Sequence, residues 1–153
     1  MTTFEDLLLH ALQDVYYANQ QILNSLPQFA AAASVTVGSQ LNAQIGTARA
    51  NHEALRAVFV TLERDPRGVT CNAILGLPKE CEESLSSDQR PSSVRDAGLV
   101  ACVQAIQCCV LAPYVALQGW SARAGGQRSF DLLKELVANV RSVLGALGGL
   151  GSG

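Results

Sequence analysis

The stretch Leu12-Gln-Asp-Val-Tyr-Tyr-Ala-Asn-Gln-Gln-Ile-Leu-Asn-Ser-Leu-Pro27 decides how the chain is read. Val15, Ile22 and Leu26 fall at helical steps, and Asn19 stands between Val15 and Ile22, where the apolar stripe passes. Phe4, Leu8 and Ala11 extend the stripe towards the N-terminus, where Thr2 and Glu5 have the spacing of a capping box. Steps of three and four residues gather side chains on one face of an α-helix. The pattern predicts a long amphipathic helix from near Thr3 to about Ala33. A kink is expected at Pro27, which lacks the N–H that the helix ladder uses.

Outward from this stretch, Ser34-Val-Thr-Val-Gly38 reads as a short break. Leu41, Ile45, Ala48, Leu55, Phe59 and Leu62 predict a second helix from about Ser39 to Leu62, ended by Pro66 and Gly68. Residues 70–86, with Ile74, Leu75 and Leu77, predict a short helix, and the polar stretch Ser84–Ser93 reads as a loop crossing a bundle. Ser93 and Asp96 open a third long helix, to about Gln118 or slightly beyond, and Arg123–Ser129 breaks the chain. A fourth helix runs from Phe130 to about Leu147, with Asp131 in its first turn, where acid suits the helix dipole. No strand pattern and no internal repeat occurs. The expected fold is all-α: a four-helix bundle with one long crossover that carries a short extra helix, matching the ferritin-like arrangement. Residues 1–147 form its single domain, and Gly148–Gly153 is read as a flexible, Gly-rich tail.

Composition narrows the function classes. The 153 residues suit one domain, 48% of them are hydrophobic, and only 16% are charged against ~25% in typical soluble domains. That balance excludes disorder. Eleven Lys+Arg against thirteen Asp+Glu give a net charge of −2 with no basic cluster, which argues against nucleic-acid binding. Residues 97–122 carry no formal charge, a run long enough to cross a bilayer. Gln104, Gln107, Pro113 and Gln118 interrupt it, and its ends lack a basic bias, so a helix buried in a bundle or subunit contact is favoured over a membrane span. The opening Met-Thr-Thr-Phe-Glu-Asp has no basic n-region, so a cytoplasmic location is expected.

Di-metal bundles place Glu and Glu-x-x-His groups on inward faces, because hard iron centres need several carboxylates together with imidazoles. The inward positions here carry Asn19, Gln44, Thr47, Asn51, Gln107 and Asn139, all uncharged. No Glu-x-x-His exists, and most acids flank helix ends or lie in loops.

Three segments carry a family resemblance. Leu12–Pro27 resembles the opening helix of the YciE/YciF-type ferritin-like family, whose pattern is Leu-x-Asp-x-Tyr-x-Ala-Glu-x-Gln-Leu-Leu-x-x-Leu-Pro. Cys71-Asn-Ala-Ile-Leu-Gly-Leu77 is similar to its Cys-x-Ala-Met-x-Gly-Leu, and Val94-Arg-Asp-Ala-Gly-Leu-Val-Ala101 to its Val-Arg-Asp-Ala-Ala-Leu-Ile-Ala. The resemblance covers about residues 4–147. It implies a bacterial, stress-associated, ferritin-like bundle that dimerises and typically carries a di-iron site. The departures decide the expected chemistry. The family's helix-one Glu falls on Asn19, its second-helix acid near Thr47 with a His near Gln44, and its fourth-helix Glu on Asn139. Its Glu-His-x-Glu falls on Gln107, Cys108, Cys109 and Val110. Asn19, Gln44, Thr47, Asn51, Gln107, Val110 and Asn139 are therefore read as a vestigial di-metal site. No metal, cofactor or catalytic residue is expected, and the amides are expected to form a structural hydrogen-bond network.

Five cysteines, an odd number without a Cys-x-x-Cys, argue against a disulfide framework or a zinc module. Cys102, Cys108 and Cys109 lie together in the uncharged helix and form a possible thiol cluster, with packing as small hydrophobes the favoured alternative. His52 is expected to be a core or interface histidine, and Tyr16, Tyr17 and Tyr114 packing residues. Leu132, Leu133, Leu136, Val137, Val140, Val143, Leu144 and Leu147 make the fourth helix apolar nearly all round, which predicts a second burial partner and hence a homo-oligomer, a dimer or larger. The favoured function is a non-catalytic, metal-free, self-assembling structural or stress-associated protein. The alternatives are a di-iron or redox-active stress protein and a bundle that binds an apolar small molecule.

Overall fold

The fold was analysed in a computed structural model, which describes residues 3–70, 81, 86, 92–124 and 126–151. Four long helices follow one another: α1 (Phe4–Ala32), α2 (Val35–Thr61), α3 (Ser92–Ala124) and α4 (Gly126–Gly151). They form a ferritin-like four-helix bundle in which α1 packs on α2 and α3, and α4 packs on α3 and α2. Between α2 and α3, nearly all of the short helix expected over 70–86 and the whole Cys71–Leu77 segment lie outside the described residues.

The first helix starts one residue later than the expected cap. Thr3, not Thr2, is the N-cap: its hydroxyl accepts from the Asp6 N–H, and the Asp6 carboxylate accepts from the Thr3 N–H, both at 3.1 Å. Thr2/Glu5 and Thr3/Asp6 share the spacing, and the pair nearer the apolar stripe closes the box. The helix continues through Pro27, whose side is exposed. Leu8, Leu12, Val15, Ala18, Ile22, Leu26 and Phe29 turn inward.

The break between α1 and α2 is shorter than the sequence suggested. Val35, Thr36 and Val37 already belong to α2, and only Ala33 and Ser34 turn the chain. Ser34 makes no side-chain cap. Its backbone N–H instead donates to the Asp96 carboxylate of α3 at 2.9 Å, so a residue distant in sequence ties the turn. Gly38 sits against α1 so closely that a Cβ there would lie 2.8 Å from the Ala30 carbonyl oxygen. The segment after α2 also lies on α1: Val69 N–H donates to the Gln13 carbonyl at 3.3 Å, and a Cβ on Gly68 would lie 2.9 Å from the Tyr17 Cβ.

The break before α4 is likewise short, with Gly126 at φ 78° opening the helix well before Phe130. At the other end, Gly148–Gly151, expected in the flexible tail, continue α4 as helix. The apolar residues of α4 are largely taken up by the chain's own core. Leu133, Leu136, Val137, Val140, Val143 and Leu147 are buried in the bundle's own core, and Leu132 and Leu144 pack against it. The all-round apolar face expected from the sequence is therefore largely resolved within one chain.

Residues Ser93–Ala124 of α3, whose most apolar 18-residue window has a mean hydropathy of 1.9, are long and apolar enough to cross a membrane by length and composition. In the bundle Leu99, Val103, Ile106, Val110, Tyr114 and Leu117 face inward. Ala101, Ala105, Cys108, Ala112, Val115 and Gly119 are exposed.

Candidate functional site

The mid-bundle positions singled out in the sequence do converge. Asn19, Gln44, Thr47, Asn51, Gln107 and Val110 line one cavity, together with Ile22, Ala48, Tyr114 and Val143. Asn139 does not line it; its Nδ2 donates to Asn51 Oδ1 at 2.9 Å, joining the group from the α4 side. Helical register explains the meeting: Gln44, Thr47 and Asn51 recur at steps of three and four on α2, as do Gln107, Val110 and Tyr114 on α3.

Asn19, 1% exposed, anchors a directed chain of hydrogen bonds. Its Nδ2 donates to the Ala48 carbonyl at 3.3 Å, which leaves Oδ1 as the acceptor facing His52 Nδ1 at 3.1 Å. That contact assigns the imidazole proton to Nδ1, so Nε2 accepts from the Tyr16 hydroxyl at 3.3 Å. The Tyr16 oxygen in turn accepts from Arg56 Nη1 at 3.2 Å. The rings support the line: Tyr16 stacks on His52 at 4.8 Å and meets Phe59 edge-on at 5.4 Å. Burial holds the His52 pKa below its ordinary value and the Arg56 charge adds to the effect, while Glu53 opposes it. His52 is thus kept neutral, which is the form this chain of bonds requires.

Elsewhere in the cavity the polar groups are not matched. Gln44 is 6% exposed, and neither its Nε2 nor its Oε1 has a hydrogen-bond partner. The Tyr114 hydroxyl is buried without one too. Burial pushes the Tyr114 phenol well above the usual tyrosine range; the nearby Asn19 side chain opposes the shift but does not complete a bond.

The cavity has a volume of about 10 Å³. Small-molecule pockets run to roughly 300 Å³ or more, so an apolar ligand of the kind weighed from the sequence has no room here. The donor set also fails to fit a di-iron centre, which calls for bridging carboxylates and imidazoles. The lining offers amides, a hydroxyl, a phenol and aliphatic groups, and the adjacent imidazole has both ring nitrogens engaged by Asn19 and Tyr16. Among the described residues no three His, Cys, Asp or Glu side chains gather as metal ligands.

Neither the possible thiol cluster nor the favoured packing of Cys102, Cys108 and Cys109 as small hydrophobes is what the structure shows. Cys102 is disulfide-bonded to Cys81 of the crossover, with Cα atoms 5.9 Å apart, and Cys108 and Cys109 are free and exposed. The sequence reading went astray because the two bonded cysteines stand 21 residues apart with no motif around them. They meet because Cys81 lies against α3 in the folded chain. Sequence reasoning also missed Tyr16, His52, Arg56 and Tyr114 as members of the polar centre. The available signal was their helical spacing: Tyr16 precedes Asn19 by three, and Ala48, His52 and Arg56 are successive fourth residues on α2.

Comparison with known proteins bears on both fold and site. The protein YciF of Escherichia coli K12 is 30% identical over 140 residues, spanning 88% of this chain and 82% of that protein. The crystal structure of that E. coli stress protein superposes with a TM-score of 0.91 at 27% identity, covering 99% of this chain and 96% of the other. YcfI of Rhodopseudomonas palustris superposes with a TM-score of 0.90 at 33% identity, covering 96% and 94%. The family described as a domain of unknown function, DUF892, matches residues 3–151. With the fold, the motifs and this match in agreement, the chain belongs to the DUF892 family of YciF-type ferritin-like bundles.

Proposed function

We propose that this protein is a non-catalytic, metal-free member of its family that acts by self-assembly in a structural or stress-associated role. The observation that carries the reading is the neutral lining of the central cavity, in which Asn19, Gln44, Thr47, Asn51, Gln107 and Val110 stand where chemistry would need charge. An ion drawn from water into a buried site without carboxylates loses its hydration with no compensating charge. Two relatives lend support by their descriptions: E. coli YciF is a stress protein, and R. palustris YcfI is provisionally described as a structural one.

Assembly would use the outer face of α3. Ala101, Ala105, Cys108, Ala112, Val115 and Gly119 are exposed at alternating steps of four and three, and no formal charge interrupts residues 97–122. That spacing makes a straight seam of small side chains along which a second helix can approach closely. Native mass spectrometry combined with elemental analysis tests both halves of the proposal. The expected result is a dimer or larger species without stoichiometric iron or manganese after growth in metal-rich medium. Stoichiometric iron or manganese would overturn the metal-free reading, and a strict monomer would overturn the assembly. Ala105→Glu, placed mid-seam, is expected to shift the assembly to monomer while leaving the helical content unchanged.

The disulfide favours a second reading, in which the protein responds to thiol redox state. The bond ties Cys81 to Cys102 of α3, and Cys108 and Cys109 lie exposed further along the same helix. If this reading holds, reduction changes protease sensitivity of the crossover and the assembly state together; unchanged behaviour in reductant excludes it.

A further inference from the structure

We infer that the central cavity is a specific site for one buried water molecule, bound by Gln44 and Tyr114 in the position that a metal would occupy in a carboxylate-bearing bundle. The inference rests on the metal-free reading above and names the occupant of the same site. Three observations lead to it. The first is size: a volume of about 10 Å³ admits about one water and nothing larger. The second is hydrogen-bonding capacity left over. Gln44 Oε1 can accept, Gln44 Nε2 can donate and the Tyr114 hydroxyl can do either, yet none has a protein partner although all are buried. Such groups are normally satisfied by protein or by ordered water, because an unpaired buried donor or acceptor carries its full desolvation cost. The third is charge. No acidic or basic side chain lines the cavity, so neither a cation nor an anion finds a counter-charge.

A water donating to Gln44 Oε1 and accepting from the Tyr114 hydroxyl satisfies two of the three orphaned atoms at once. Its other hydrogen faces a lining that includes Gln107, Asn51 and Thr47. Ile22, Ala48, Val110 and Val143 complete the wall, and the Gln44 amide and Tyr114 hydroxyl that would hold the water are buried. The bound water is therefore expected to be long-lived as well as ordered.

Water ¹⁷O relaxation dispersion counts long-lived internal waters and reads this directly. Wild-type protein is compared with Gln44→Met, which keeps the side-chain length but removes both amide atoms, and with Tyr114→Phe. The expected result is an amplitude lower by one long-lived water in Gln44→Met. In Tyr114→Phe the residence time is expected to fall by about tenfold, roughly the worth of one hydrogen bond. Equal amplitudes in wild type and Gln44→Met, with both variants giving cooperative melts, would overturn the inference. A high-resolution crystal structure with no density between Gln44 and Tyr114 would overturn it as well. The metal-free reading fails separately: metal found by elemental analysis sinks both, whereas metal-free protein with unchanged dispersion sinks the water alone.

Discussion

Two parts of the bundle interior, separated by two turns of α2 or about 10 Å, handle their polar side chains differently. Around Asn51 and His52 every group named above has a protein partner: Asn139 bonds Asn51, Asn19 bonds His52 and the Ala48 carbonyl, and Tyr16 and Arg56 complete the line. Around Gln44 the amide and the neighbouring Tyr114 hydroxyl have none. Both regions bury polarity in a core otherwise filled by Leu, Val, Ile and Phe. The difference teaches that removing charge from a bundle centre does not by itself give a finished core. Where an amide reaches an imidazole or a free carbonyl lone pair, the network closes; where the polar neighbours line a cavity without coming into bonding geometry, as at Gln44, it does not.

The contrast can be broken first at Asn19. Asn19→Leu removes the acceptor of the His52 Nδ1 proton and leaves that half-buried donor and the Ala48 carbonyl without their partner, so unfolding free energy in urea titrations should fall by about 2 kcal/mol. A loss below about 1 kcal/mol would mean that the closed region is not energetically coupled. A double-mutant cycle on Asn51→Ala and Asn139→Ala should return a coupling of about 1 kcal/mol, as one short amide–amide bond predicts. Gln44→Met is the opposite case. It removes unmatched groups, so stability should stay within about 1 kcal/mol of wild type or rise. A large loss there would place Gln44 among the structurally essential groups and erase the comparison.

The smallest expected effect is on pH dependence. His52 is held below its ordinary pKa in the folded chain, so the unfolded chain binds the proton more readily. Its contribution to stability is present above the unfolded value of about 6.5 and is lost as pH falls towards the folded pKa. Thermal melts between pH 7.5 and 5 should show a decline that is shallower in His52→Gln; parallel curves would remove His52 from the account.

Much of this architecture was legible in the sequence, because long helices advertise themselves by periodicity. The stripe through Val15, Ile22 and Leu26 located α1, and the intrusion of Asn19 into it located the site. What escaped was set by distant parts of the chain. The β-branched run Val35-Thr-Val37 reads as a break, yet it is helical, because Asp96 from another helix satisfies the turn before it. Gly148 and Gly149 read as a helix end, yet α4 continues through them. The positions that meet at the centre could be named from the family resemblance, whereas the partners of each polar atom could not. His52 bonds Asn19 because two helices lie at one separation and register, and no local pattern encodes that.

The Cys81–Cys102 link has a consequence for how the chain bears force. Pulled from its two ends, an unbridged chain would pay out every residue once the helices separate. With the link closed, the segment between Cys81 and Cys102 is bypassed by a covalent shortcut. The fully stretched molecule is then shorter by about 70 Å, from roughly 3.5 Å for each bypassed residue. Tension would run from α2 through the first part of the crossover directly into α3 at Cys102, leaving the start of α3 mechanically unloaded.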